Sequence, residues 1–491
     1  MRPTWAEIDL DVLRGNVSRV VDVVAPSSVC AVVKADAYGH GDVPVAEAAL
    51  DAGATTLAVA LVEEGIRLRE AGIDAPILLL SEPMVEDLPT VVRWRLIPTI
   101  YHEETLDSLS DSLDQSEPLS VHIKLDTGMH RVGSTSAEME RIKSRVVGDP
   151  KLSLGGIWTH FAVADEDEDF TNTQIQRFRD AQDGSGVPTH LANTAGALAF
   201  PGARAEMVRL GIGMYGYHPS EATEGVVELE PVMRLVSRVT HVARHPAGTR
   251  PSYGRRRPLP SDATVVTVPI GYADGVPRIL SARGGEVLIR GRRFALAGTV
   301  TMDQIVVDVG DEPVEIGDEV VLLGTQGTER ITADDWARAN DTISYEIVCG
   351  VGPRVPRRYL EGGSVSTTGA GEHGVDTGGE GAAGVLLFDG GKGRGLTRTT
   401  VVGVSPHESP AVRDGEADAI ELTDDMVAAT HCVVVVEDDG VSLVDLASPN
   451  GTVVSRGEDN HWLESERPFP LTDGDVLLLG RQRITYREKQ T

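Results

Sequence analysis

Along the first 230 residues, short β-branched or apolar runs alternate with stretches whose apolar positions recur at helical spacing. The strand-like runs are 29–33, 57–61, 77–80, 97–100, 121–125, 156–161, 190–193 and 208–212, and the clearest amphipathic stretches are 43–52, 63–71 and 103–113. Eight strands with helical connections predict a (β/α)8 TIM barrel. A doubly wound sheet is the competing arrangement of the same alternation, and periodicity alone does not separate the two.

After residue 230 the texture changes. Runs at 232–242, 263–268, 285–289, 293–296, 304–309 and 319–323, with Gly and Asp at the turns, predict a mostly-β domain over 231–360. Residues 361–384 are Gly, Ser, Thr, Glu and Asp with almost nothing to bury, the composition of a flexible linker. From 385 to 491, short strands with turn signals return and predict a small β-sandwich. A chain of 491 residues is too long for one core, so this division is physically expected.

Composition narrows the partners. A formal net charge of −30 speaks against nucleic acid and against anionic membrane surfaces. No apolar run approaches the roughly 20 residues that span a bilayer, and residues 1–10 read as lacking a secretory signal. Cys30, Cys349 and Cys432 lie far apart without metal-ligand spacing, which suits reduced thiols in a cytoplasm.

The strongest chemical signal is Val32-Val33-Lys34-Ala35-Asp36-Ala37-Tyr38-Gly39-His40-Gly41. A lysine ending the first barrel strand opens into the mouth where barrel enzymes keep their sites. Partly desolvated there, it loses proton affinity and forms Schiff bases readily. This decapeptide resembles the alanine racemases, and the resemblance continues in order over roughly residues 1–360, beginning with Trp5-Ala6-Glu7-Ile8-Asp9-Leu10. It implies pyridoxal 5′-phosphate as cofactor, held by Lys34, with Tyr38 as a phosphate ligand. The segment Lys124-Leu125-Asp126-Thr127-Gly128-Met129-His130-Arg131 is similar to the one whose arginine binds the substrate carboxylate, which assigns that role to Arg131. Lys124 matches a lysine that is carbamylated in some members. Trp158-Thr159-His160-Phe161-Ala162 is similar to the segment with the family's histidine beside the cofactor ring, which implies that place for His160, and His190-Leu191-Ala192-Asn193-Thr194 and Val208-Arg209-Leu210-Gly211-Ile212 follow. On the strand count, Asn193, Thr194 and the amides of Gly211 and Ile212 fall where barrels cradle phosphate. His190 is a supporting residue.

Arg209 bears on reaction type. A guanidinium beside the pyridine nitrogen cannot give up its proton, so the ring stays unprotonated and reprotonation at Cα outruns transamination. In the second domain, Ser252-Tyr253-Gly254, Gly271-Tyr272-Ala273-Asp274-Gly275 and Met302-Asp303-Gln304 complete the resemblance. It implies Tyr253 as a second catalytic base, entering from the other subunit of a homodimer, with Met302 contacting substrate and Tyr272 and Asp303 in support. A tyrosine acting as base needs nearby positive charge; His160 and Arg131 are the expected neighbours. The implied function is interconversion of L- and D-alanine, supplying D-alanine for peptidoglycan. Three positions depart from the family: Pro353 where some members have a second phosphate-binding tyrosine, Thr299 where many have arginine, and Leu210 where proline is common. They leave room for a wider entrance and a broader amino-acid substrate range.

The last hundred residues resemble a forkhead-associated (FHA) domain through Asp445-Leu446-Ala447-Ser448-Pro449-Asn450-Gly451-Thr452, Asp473-Gly474-Asp475 and Leu479-Gly480. Its phosphate-gripping parts are missing: Gly403-Val404 and Ala428-Ala429-Thr430-His431 supply neither the arginine nor the serine. Asp424, Asp425, Glu437, Asp438 and Asp439 add negative charge. The expectation is weak or no phosphothreonine binding, with protein binding left open. Two rival functions stand beside racemisation. An amino-acid decarboxylase of the same fold type is disfavoured by Arg209, and a non-catalytic cofactor carrier is disfavoured by Tyr253.

Overall fold

The computed structural model describes residues 2–113, 118–182, 186–362, 364–366, 384–388, 393–396, 398–403, 409–413, 417–421, 431–437, 440–446, 448, 452–456, 459–465, 467–479 and 482–488. They fall into two compact units, 1–367 and 368–491.

In the first unit, eight strands follow one another with helices between most of them: Ser28–Val32, Thr56–Val59, Ile77–Leu79, Thr99–Ile100, Leu119–Lys124, Leu152–Trp158, Thr189–His190 and Met207–Leu210. Neighbours pair in parallel within two four-stranded sheets, and Met207–Leu210 pairs back onto Ser28–Val32. A parallel bridge between Leu78 and Ile97 joins the sheets on one side. On the other, the Arg209 amide donates to the Ala192 carbonyl at 2.9 Å. The ring is closed, so the doubly wound alternative, an open sheet with two edges, is excluded.

Helices begin where the sequence supplies caps. Asp9 accepts from the amides of Asp11 and Val12 at the head of Leu10–Val24, and Thr135 with Glu138 forms a capping box on Ser136–Gly148. Along Leu10–Val24 the stripe Leu10, Leu13, Val17, Val20 and Val24 is buried. Each such side chain contributes about 1.5–3 kcal/mol when taken fully from water.

The mostly-β region contains an eight-stranded and a three-stranded sheet. Residues 4–9, grouped with the barrel by the sequence reading, instead form Thr4–Asp9 inside the larger sheet, between Met233–Arg238 and Arg357–Glu361. The run 232–242 is also two strands: Met233–Arg238 stays in that sheet, while His241–His245 pairs with Ala263–Val268 in the smaller one. The β-type pattern continues through the corner, so the change of sheet leaves no mark in periodicity.

The second unit is a β-sandwich of a six-stranded and a five-stranded sheet, closed over Leu386, Val402, Cys432, Leu443, Val454 and Leu477. Buried Asp445 accepts from the amide and hydroxyl of Ser448 and from the Thr452 hydroxyl. Arg398, Arg456, Arg467 and Arg487 are each paired with a carboxylate. Residues 363 and 367–383 of the expected linker lie outside the described residues, as do Val404, Asp424, Asp425, Ala428, Ala429, Thr430, Asp438, Asp439, Ala447, Pro449, Asn450, Gly451 and Gly480. No helix among the described residues is long and apolar enough to cross a membrane. The three cysteines form no disulfide, and Cys30 and Cys432 are buried.

Candidate active site at the mouth of the barrel

Strand Ser28–Val32 delivers Lys34 to the mouth, where the chain makes a left-handed turn: Ala35, Asp36, Ala37 and Tyr38 have φ of 53, 53, 49 and 55°. Such a conformation costs about 1–2 kcal/mol per L-residue, so the surroundings must hold it. Buried Glu64 accepts the Ala35 amide at 2.6 Å with one oxygen and the amides of Ala60 and Leu61 with the other. His40 Nδ1 donates to the carbonyls of Tyr38 and Ala37 at 2.9 and 3.1 Å. Arg357 donates to the Gly39 carbonyl through two nitrogens. The turn sends Tyr38 into the interior, stacked on Tyr215 at 4.8 Å.

Beside Lys34 opens a cavity of about 560 Å³, lined in part by Tyr38, Lys124, Arg131, His160, Asn193 and Thr194. Arg209, Gly211 and Ile212 line it too. The sequence-predicted residues of the barrel therefore converge, apart from His190, which stands behind Arg209.

Arg209 is fully buried, yet its donors are placed. Nη1 donates to His190 Nδ1 at 2.8 Å and to the His190 carbonyl at 2.9 Å. Nη2 donates to the carbonyls of Thr159 and Leu191 and, at 3.3 Å, to His160 Nδ1. Burial brings the guanidinium down to about 10, so at neutral pH it keeps its charge. His160 is pushed well below its ordinary range by burial and by Arg209. It is therefore neutral, and the expectation that it supplies positive charge fails; Arg131 is the expected neighbour that remains. Lys124 is brought down to about 7 by burial, then by Arg209 and Arg131. Both side chains lie against the Trp158 ring, with Lys124 Nζ 4.3 Å and Arg209 Cζ 4.6 Å from its centroid. Lys34 is lowered by burial and by Arg131.

On the far wall, the Gly211 amide donates to Thr194 Oγ1 at 3.0 Å, and a Cβ on Gly211 would stand 2.9 Å from Tyr38 Oη. Only glycine leaves this hollow open. Arg131 projects from a loop fixed by Asp126, whose Oδ1 accepts the amides of Gly128, Met129 and His130.

Comparison with known proteins decides the family. Residues 8–219 match the family model for the alanine racemase N-terminal domain, residues 232–359 that for the C-terminal domain, and residues 413–480 that for the FHA domain. An alanine racemase of Halothermothrix orenii is 43% identical over 368 residues, 73% of this chain and 97% of that protein. One from Nostoc sp. is 43% identical over 366 residues, 72% of this chain and 95% of its own length. Among solved structures, alanine racemase from E. faecalis matches with a TM-score of 0.70 at 37% identity, over 73% of this chain and 98% of that one. That from Bacillus anthracis with bound L-Ala-P matches with 0.70 at 38%, over 74% and 97%. The chain belongs to the alanine racemase family.

This racemase also carries a second set of predicted residues, which the fold keeps away from Lys34. Tyr253, Tyr272 and Met302 are 73, 42 and 52% exposed, and none lines the cavity. They form one edge: the amides of Tyr272 and Ala273 donate to the carbonyls of Thr301 and Met302. Thr299, one of the departures from the family pattern, donates to the Tyr253 carbonyl at 2.8 Å, while Ser252 donates back to the Thr299 carbonyl. Asp303 pairs with Arg354 at 2.6 Å.

Sequence reasoning missed Tyr345, Cys349 and a role for Trp158, all of which line the racemase cavity. Tyr345 lies 6.0 Å from Tyr38 between ring centroids, so a second tyrosine does stand on this wall, eight residues before Pro353. The signal was Ser344-Tyr345-Glu346, a polar–aromatic triplet opening the short helix Ser344–Cys349. His122 was also missed: it lies 2.9 Å from His190 inside the barrel.

Proposed function

We propose that the cavity interconverts L- and D-alanine with pyridoxal 5′-phosphate bound between Lys34 and Arg209. The observation that carries this is the pairing of a buried, charged guanidinium with a lysine of lowered proton affinity in one cavity. The donor set fits the cofactor. The hollow at Gly211, with the hydroxyls of Thr194, Tyr38 and Tyr345 and the Ile212 amide around it, suits the phosphate, and Asn193 and His160 flank the ring. No partner for Arg209 Nε is found among the described residues, so this N–H is free for the ring nitrogen. When bound, pyridoxal phosphate supplies the electron sink that makes the α-proton of an amino acid removable.

The chain's own groups do the rest. Lys34 Nζ, poorly solvated and next to Arg131, takes or returns the proton on one face of Cα. Tyr253 of a second copy serves the other face. This requires a homodimer with shared sites, and it gives the exposed Tyr253–Tyr272–Met302 edge an occupant. Arg131 holds the substrate carboxylate, and Lys124, brought down to about 7 and so partly unprotonated at neutral pH, is suited to accept CO2 as a carbamate. His190 and Asp303 support Arg209 and the Met302 turn. The free cysteines suit the cytoplasm. In the second unit, the lack of an arginine at Val404 and of a serine and arginine at Ala428 and Ala429 supports weak or absent phosphothreonine binding and leaves protein binding open.

Purified protein supplied with pyridoxal phosphate is expected to convert D-alanine to L-alanine, and a panel of other amino acids measures substrate breadth. Cofactor binding without racemisation of any amino acid would favour the carrier reading.

A further inference from the structure

We propose that His122 is a positioning residue for this reaction: it accepts the single ring proton of His190 and so fixes the bare nitrogen that His190 presents to Arg209. The inference rests on the reading of Arg209 as the partner of the cofactor ring.

The direction follows from donor chemistry. A guanidinium has donors only, so the 2.8 Å contact from Arg209 Nη1 requires His190 Nδ1 to be unprotonated. The proton of neutral His190 is then on Nε2, which lies 2.9 Å from His122 Nδ1. His122 Nδ1 is the acceptor, and the row runs one way, from Arg209 through His190 to His122. Burial, reinforced by the Arg209 charge, keeps both rings neutral, with His122 brought down to about 4. On its other side, Trp158 stacks on His190 at 5.5 Å with planes 12° apart, which holds the ring's plane.

The barrel is shaped to admit this ring. Opposite His122, strand Leu152–Trp158 carries Gly155 and Gly156, although glycine weakens a strand interior. A Cβ on Gly156 would meet His122 Nδ1 at 2.9 Å, and one on Gly155 would meet Nε2 at 2.9 Å and Ser120 Oγ at 2.2 Å. The pairing of the two strands shifts register between Val121 and His122. Both irregularities lie where the imidazole needs room. Without an acceptor on His122, the Nε2–H of His190 is stranded in the interior, and the most direct restraint on Arg209 Nη1 loosens.

Nitrogen NMR of the cofactor-free protein with labelled histidine tests this directly. His190 and His122 are expected as neutral Nε2–H tautomers, with a scalar coupling across the hydrogen bond from His190 Nε2 to His122 Nδ1. His190 protonated on Nδ1, doubly protonated, or uncoupled from His122 overturns the proposal. His122→Phe is expected to abolish the coupling and to lower kcat on the order of 10-fold with KM for alanine little changed. His122→Gln, whose amide oxygen accepts, is expected to recover most of that loss. Equal losses in both variants, or no loss in His122→Phe, contradict it. If His122→Phe does not fold, the wild-type spectrum and His122→Gln still decide. The spectrum needs neither cofactor nor turnover, so it stands or falls apart from the racemase assay.

Discussion

The barrel mouth and the edge carrying Tyr253 belong to one compact unit, yet they treat their polar groups in opposite ways. At the mouth, Lys124, His190 and Arg209 are buried at 4, 1 and 2% exposure and locked by hydrogen bonds and the Trp158 ring. At the edge, Tyr253 is 73% exposed, and it is its backbone that Thr299 holds. The mouth is a finished environment: desolvation has already changed the proton affinities of its lysines and histidines. The edge is a shaped but open surface that leaves the Tyr253 side chain to solvent. This contrast supports the proposed division of the site between two copies, in which one copy's edge would close the other's mouth.

The comparison breaks most readily at its largest effects. Lys34→Ala is expected to lower racemisation by on the order of 10³-fold or more and to abolish the absorbance of lysine-linked cofactor; activity within an order of magnitude of the parent contradicts the assignment. Tyr253→Phe is expected to cost about 10²–10⁴-fold. If the two halves come from different copies, mixing and re-associating the Lys34→Ala and Tyr253→Phe proteins regenerates sites with both groups intact. Mixtures no more active than either variant place Lys34 and Tyr253 in one copy. Gly211→Ala puts a methyl 2.9 Å from Tyr38 Oη and is expected to weaken cofactor binding by about 10-fold in a titration.

A smaller effect sharpens the electrostatics. With Lys124 near 7, the amine is mostly neutral above that pH and protonated below it. Carbon NMR with labelled bicarbonate is therefore expected to show a carbamate on Lys124 that grows as pH rises from 6 to 8 and is absent in Lys124→Met. The smallest change belongs to the second unit. The relatives are matched over 95% of their length or more by about 73% of this chain, so removal of residues 368–491 is expected to leave kcat within about 2-fold. A larger drop would mean that the sandwich acts on the site.

Legibility differed by element. The decapeptide around Lys34 and the segments of Arg131, His160 and Arg209 carry unusual residues at fixed offsets, while the eight strand-like runs fitted a barrel or a doubly wound sheet until the pairing of Met207–Leu210 with Ser28–Val32 decided between them. Thr4–Asp9 and the break inside 232–242 were misread because a strand's alternation says nothing about which sheet it joins. Tyr345 was missed because its value comes from a contact with Tyr38, some 300 residues away, and no local pattern announces it. His122 was missed because its partner, His190, lies 68 residues away in sequence and is brought to it only by the folding of the barrel.

By itself, the sequence determined the alternation of strands and helices and the likeness to one family, because both are encoded in local periodicity or in residues at short spacing; the closure of the ring came from pairing between distant strands. Tertiary structure alone decided which groups are charged. Arg209 stays cationic while His160 and His190 do not, and Lys124 sits near neutrality, because burial and neighbouring charge are set by chain segments distant in sequence.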